Sequence, residues 1–272
     1  VERHRSPARF STPSTRIAGS LTSVSEPAPR RIRDPKEPSE RDWERSAVLE
    51  PRPGRRHPEL IGDGSGLPFP RDALLGAPAP LDPEDPAVGA LLAHLAVLAT
   101  PKRSLTPWKR AAAPSAPPSL DGWRLLARTE EEVLFGIGHP TRLQTITFRQ
   151  EGRHRRWSCV RSGATRTLRA TRDGIRASSW RLDPMHEPEP DETVLRVLVT
   201  EQAFASGQRA EGRMLAPDLY MDENELVLTM FITPRPGFQS GSGNPETPAR
   251  ITLPDPVGQR QLIDGALPQL SR

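Results

Sequence analysis

Thr167-Leu-Arg-Ala-Thr-Arg-Asp173-Gly174-Ile-Arg-Ala-Ser-Ser-Trp-Arg-Leu182 reads as two strands joined by a tight turn. Both central residues of a type I′ turn need positive φ, a conformation that Asp and Gly tolerate best, so Asp173-Gly174 marks the turn. Thr167–Arg172 is then expected to pair with Ile175–Leu182.

The same grammar extends on both sides. Leu143–Arg149 alternates, with Ile146 and Phe148 on one face, and Glu151-Gly152 turns the chain back into Arg156–Val160. Thr193–Val199 is apolar on both faces except at Arg196. Leu226, Leu228, Met230 and Ile232 line one face of a later strand whose other face carries Val227 and Phe231. Both patterns predict central strands. A short strand over Arg250–Leu253 ends at Pro254. About eight short strands separated by turn signals predict an all-β domain over residues 119–270, an antiparallel β-sandwich or open barrel.

Upstream of Ser119 the chemistry changes. Residues 102–118, with Ala111-Ala-Ala-Pro-Ser-Ala-Pro-Pro118, read as a Pro/Ala linker. Within residues 79–101, Asp85 is suited to cap a helix, Pro86 to open it, and Thr100 before Pro101 to end it. One short helix over residues 86–99 follows. Leu91, Leu92, Leu95, Val97 and Leu98 cover most of its circumference, so it requires a surface to pack on. Residues 1–78 mix Pro, Ser, Arg and Glu without sustained period and are expected to be a disordered basic tail. The first methionine of the 272-residue chain is Met185 and the chain opens on Val1, so residues 1–60 also read as upstream sequence outside the native start.

Charge divides along the chain. The formal excess of +4 sits in the first 60 residues, whereas residues 61–272 hold equal numbers of basic and acidic side chains. Residues 141–181 carry 11 Arg against 2 acids, and residues 183–225 carry 11 acids against 3 Arg. The simplest reading is that one block neutralises the other on a solvated surface. The functional alternative is a basic patch at Arg153, His154, Arg155, Arg156 and Trp157, with Trp180, that pairs phosphates and stacks bases of single-stranded nucleic acid. The balanced surface is preferred, and a nucleic-acid partner is not expected.

Other chemistry is sparse. Cys159 is the single cysteine, which excludes an intrachain disulfide and a paired-thiolate metal centre. A strand cysteine two residues from Trp157 is expected to be buried and inert. Asp183–Glu192 gathers carboxylates around His186, but its three prolines suit an acidic loop better than a cation site, and no metal or other cofactor is expected. His139, His154 and His186 would serve a hydrolase or transferase only if one of them met a carboxylate in a pocket. Gly62-Asp-Gly-Ser-Gly66 falls in the expected tail and is discounted, while Gly136–Gly138 and Ser240–Asn244 read as turns because neither opens a helix. The apolar run Ala87–Ala99 is too short to span a bilayer. No apolar core follows the early arginines as a secretory signal requires, so a cytoplasmic location is expected, with an extracellular one as the alternative if the start differs.

Leu198-Val-Thr-Glu-Gln-Ala-Phe204-Ala-Ser-Gly-Gln208, Gly212-Arg213, Gly243-Asn244-Pro-Glu-Thr-Pro248 and Asp264-Gly265 together resemble a domain widespread in actinobacterial proteins. Many of its members look secreted or lipoprotein-like, and the family brings no known activity. The resemblance covers residues 194–265. Members carry one cysteine where Phe204 stands and another near Ser240–Ser242; both are missing here. Their pairing implies that the Phe204 loop and the Gly241 loop are neighbours at one end of the sheet. The expected recognition surface is therefore Phe204, Ser206, Gln208 and Arg213 with Gln239, Gly241 and Asn244. A non-enzymatic interaction module with a protein partner is the function this reading favours; no catalytic residue is assigned.

Overall fold

The structure is a computed structural model that describes residues 38–64, 66–100, 118–241 and 243–268. Much of the expected tail and nearly all of the expected linker lie outside these residues. The remainder belongs to one compact unit that starts at Pro38, so the boundary expected at residue 119 moves forward by some eighty residues.

The N-terminal elements are α1 (Glu40–Arg45), β1 (Ala47–Leu49), β2 (Arg52–Pro53), β3 (Leu60–Gly62), β4 (Phe69–Pro70), α2 (Arg71–Leu75) and α3 (Pro86–Ala99). A meander follows, with β5 (Arg124–Arg128), β6 (Glu132–Ile137), β7 (Gln144–Glu151) and β8 (Arg156–Ala164). The remaining strands are β9 (Arg169–Arg172), β10 (Ile175–Arg176), β11 (Ser179–Leu182), β12 (Val194–Thr200), β13 (Asp218–Met221), β14 (Glu225–Thr229), β15 (Thr247–Thr252) and β16 (Gln261–Asp264). They form four four-stranded sheets, ordered β1-β15-β12-β11, β16-β14-β13-β2, β10-β9-β3-β4 and β5-β6-β7-β8.

The described residues are all-β apart from three short α-helices and one 3-10 turn, as the alternation implied. The first two sheets make a sandwich. Leu195, Val197 and Val199 of β12 and Ala249 and Ile251 of β15 face Leu219, Leu226 and Leu228 of β13 and β14 across one core. β12 and β14 lie between two neighbours each, as their two-sided apolarity predicts. Pairing is antiparallel within the hairpins, but β1 on β15, β2 on β13 and β16 on β14 are parallel. These three additions come from segments distant in sequence, which no local turn constrains to run antiparallel.

The hairpin at Asp173-Gly174 forms as expected, with φ of 51° and 76° and Arg172 opposite Ile175. Its second arm does not stay in one sheet. Ile175–Arg176 pairs with β9, the Ser178 amide donates to Met230, and Ser179–Leu182 pairs with β12. The strand therefore turns a corner and couples the sandwich to the β3/β9 sheet.

Residues 38–78 are a correction to the expected disorder. Trp43, Ile61, Phe69 and Leu74 are buried, and the segment supplies a strand or two to three of the sheets. Its strands are two or three residues long, too short to show a period, and their partners stand more than a hundred residues away in sequence for β1, β2 and β3. Its arginines serve the acidic block as well: Arg52 pairs with Asp218 and Arg56 with Glu225. Within the basic block, Arg172 reaches Asp218 of the acidic block at 2.6 Å.

Helix α3 forms where expected and packs on the meander. Ala87, Val88 and Leu91 meet Trp123, Val133, Phe135, Ile146 and Phe148 on one face of that sheet, while α2, Ile61 and Phe69 cover Leu126, Leu134 and Leu143 on the other. Its own chain thus supplies a surface for the first half of this helix, while Val97 and Leu98 near its end stay exposed. Asp85 accepts from the Ala87 amide at 2.9 Å and pairs with Arg128 on β5. The Arg128 guanidinium holds the Asp85 carboxyl below its ordinary range, aided by the Ala87 amide and opposed by burial. A carboxyl lowered by folding contributes stability that is complete above its unfolded pKa of about 3.9 and is lost as pH falls through its folded value. Asp85→Ala is expected to cost about 1–2 kcal/mol at neutral pH. In urea titrations that cost should shrink as the pH is lowered below about 4; a cost unchanged at acid pH would refute this account of the cap.

Candidate functional site

The chain leaves the sandwich core at Thr200 and enters a loop that its own polar groups fix. Glu201 is buried and receives both terminal nitrogens of Arg213, at 2.9 and 2.6 Å. Asn244 Oδ1 accepts from the Ala205 amide at 3.0 Å, and Asn244 Nδ2 donates to the Glu201 and Ala203 carbonyls. Ser206, at φ 51°, accepts from the Ser240 amide and donates to Gln239 Oε1. The Phe204 ring lies 3.7 Å from where a Cβ on Gly241 would stand. The two loops are therefore neighbours.

Their roles differ from residue to residue. Arg213 is not a free surface residue, because Glu201 and the Thr233 carbonyl take its guanidinium. Asn244 holds the loop together instead of presenting its amide outward. Gln239 and Ser206 brace one another, and Gln208 is exposed. What remains outward is apolar: Phe204 is 61% exposed and Phe238, one residue before Gln239, is 97% exposed. Asn244→Ala removes three hydrogen bonds and is expected to cost about 1–3 kcal/mol. Hydrogen exchange at the Ala205 amide should accelerate, and an unchanged rate would show that Asn244 does not set the loop.

Beside Phe204 opens a cleft of about 240 Å³, lined by Asp63 and Gly64 after β3, Arg166, the Gly174–Arg176 side of the hairpin, and Glu201–Phe204. Two arginines reach it. Arg166 is exposed and has no ion-pair or hydrogen-bond partner among the described residues. Arg176 is half-buried, donates from Nη2 to the Thr167 carbonyl, and leaves its buried Nε unpaired. Behind them Arg169 is 9% exposed, with Nε and Nη1 unpaired and Nη2 donating to Ser179 Oγ. The same Ser179 oxygen accepts from Gln202 Nε2, and Gln202 lines the cleft.

Electrostatics there is strained by like charge. Burial, then the neighbouring charge of Arg169, and further Arg166, loosens the proton of Arg176, while Asp63 opposes them. Burial loosens that of Arg169 against the attraction of Asp264. Asp264 is itself raised by burial despite the Ala266 amide, Arg169 and Trp180.

The alternative sites are not assembled. Arg153, His154, Arg155 and Arg156 lie exposed around the β7–β8 turn, but Trp157 packs against the core under α3 and Trp180 donates its indole N–H to the Leu228 carbonyl in the sandwich. No joint stacking surface results. His139 closes a 3-10 turn by accepting from Thr141. His186 Nε2 stands 3.1 Å from Glu192 Oε2 within its own loop, with no nucleophile beside it among the described contacts. Cys159 is exposed, not buried: Phe148 is its cross-strand partner and its Sγ lies 3.8 Å from His94 Nε2. The edge position of β8 and the start of a bulge there leave the thiol uncovered. Among the described residues no three His, Cys, Asp or Glu side chains group to hold a metal ion, and no helix is long and apolar enough to cross a membrane.

Compared with known proteins, the chain matches no family model, no curated protein and no solved structure. Sequence reasoning missed Asp63, Arg166, Arg169, Arg176, Gln202 and Phe238. The arginine excess over residues 141–181 was the available signal, but alternation alone does not say which guanidiniums share a cleft.

Proposed function

We propose that this chain is a non-enzymatic recognition module that binds a protein segment at the Phe204 end of the sandwich. The carrying observation is the pair of exposed phenylalanines, 61% and 97%, on two loops that Ser206, Gln239 and Asn244 brace against each other. Large aromatics left in water on a rigid base cost little ordering on binding and contribute large contact area, which is how interface anchors work. Among the described residues nothing near them combines a nucleophile, a base and an orienting group.

The test is selection of displayed random dodecapeptides on the full chain, repeated on Phe204→Asp and Phe238→Asp. Enrichment of sequences that both variants fail to retain supports the reading. Absence of enrichment, or retention by both variants, overturns it.

A further inference from the structure

We propose that the cleft beside Phe204 is a carboxylate-binding site, in which Arg166 and Arg176 grip an acidic side chain or chain-terminal carboxylate of the bound segment. The inference rests on the protein-binding reading above and names the chemistry that reading lacks.

Three arginines within eleven residues are brought to one place by the Asp173-Gly174 turn and by the corner at Ser178. Like charges assembled in a partly buried setting oppose folding, and the attractions of Asp63 on Arg176 and of Asp264 on Arg169 do not outweigh burial. Glu201 lines the cleft, yet both of its oxygens are taken by Arg213. Asp264, the carboxylate nearest in effect to Arg169, makes no ion pair with it within 4 Å. Asp63 alone faces Arg176. Arg169 adds the independent observation: a side chain nine-tenths buried, with two nitrogens unpaired, whose third nitrogen shares Ser179 Oγ with the cleft residue Gln202. Arg169 does not itself line the cleft, but its buried charge acts on Arg176 and so favours an anion there.

Size and surroundings narrow the ligand. A cavity of about 240 Å³ admits one or two side chains, below the roughly 300–1,000 Å³ usual for whole cofactors. Arg presents paired N–H groups that match the two oxygens of a carboxylate. Phe204 forms one wall, so the group beside the carboxylate is apolar. A segment combining an acid with a neighbouring aromatic or aliphatic residue satisfies both walls at once.

The experiment uses the full chain and two fluorescein-labelled peptides in anisotropy titrations, one with the core Phe-Glu-Phe and a free carboxyl terminus, the other its Gln-containing, C-amidated counterpart. The acidic peptide should bind about tenfold or more tightly. Arg166→Ala, at an exposed position, should erase that preference, and Arg176→Lys should reduce it. Equal affinities, or a preference that survives both substitutions, overturn the carboxylate site. If Phe204→Asp abolishes both equal affinities, protein recognition stands and only its charge chemistry falls. If neither peptide binds but sodium acetate, at matched ionic strength, raises the melting temperature in an Arg166-dependent way, the anion site stands and the protein-binding reading falls. A response to inorganic phosphate without one to acetate would overturn the carboxylate assignment. If neither peptide and neither anion gives any response, both readings fall.

Discussion

A chain shortened to begin at Pro118 is expected to lose cooperative folding. The shortened chain keeps every strand from β5 onward but lacks α1, α2, α3 and the strands β1–β4. Val133, Phe135, Ile146 and Phe148 then lose Ala87, Val88 and Leu91, while Leu126, Leu134 and Leu143 lose Ile61, Phe69 and Leu74. Each fully buried apolar side chain returned to water costs about 1.5–3 kcal/mol. Summed over those positions the loss rivals the whole stability of a typical domain, about 5–15 kcal/mol. Circular dichroism and urea titration of the two chains give the check. A shortened chain with a sharp transition near the full chain's midpoint would mean that the meander does not depend on its two covers.

Glu201→Gln is expected to destabilise the protein by about 3–5 kcal/mol, the cost of leaving a buried charge without its partner. The side chains of Glu201 and Arg213 are 3% and 14% exposed, and the pair is joined by two hydrogen bonds at the root of the Phe204 loop. Arg213→Ala should cost a similar amount, because it strands the carboxylate in the same place. Replacing both residues by apolar ones of similar volume, Glu201→Leu with Arg213→Met, should recover much of the loss, since the desolvation of both charges is then relieved together. Urea midpoints of the three variants decide this. If Glu201→Gln were within about 0.5 kcal/mol of the parent, as for an exposed pair, the burial of this ion pair would carry no energetic weight. Hydrogen exchange through residues 203–208 should rise in Glu201→Gln, because the Glu201 carbonyl is also where Asn244 anchors that loop.

These two results bear on one feature of the molecule. The candidate surface is made by loops, yet its shape is set by a buried ion pair, a stitching asparagine and a helix from the far end of the chain. Arg209 beside those loops pairs with Asp42 of α1 at 3.2 Å. Removing the N-terminal segment would therefore disturb the site as well as the meander.

How much of this could be read from the residues depends on how local each signal is. The Asp173-Gly174 turn, the β7–β8 hairpin and helix α3 with its Asp85 cap were all legible, because each is specified by neighbours within a few positions: a turn dipeptide, a period of two, a capping residue before a proline. The central placement of β12 and β14 was legible too, since apolarity on both faces leaves no solvent side. The adjacency of the Phe204 and Gly241 loops was expected only through a resemblance. The recruitment of residues 38–78 was not legible at all: Trp43, Ile61, Phe69 and Leu74 sit in apolar runs of at most three residues among prolines and charged side chains, without a period to betray a strand.

The sequence by itself determined the all-β class, the hairpins, the helix and its cap, because those follow from backbone preferences and short-range hydrophobic order. Only the tertiary structure decided that α3 is a cover for the meander, that Arg213 is withdrawn into an ion pair, that Cys159 is exposed, and that Arg166 and Arg176 line one cleft with Arg169 buried beside it. Those outcomes depend on which distant segments meet, and on burial that changes the cost of a charge from slight in water to several kcal/mol inside. Composition records how many arginines there are; the fold decides which of them are left without a partner.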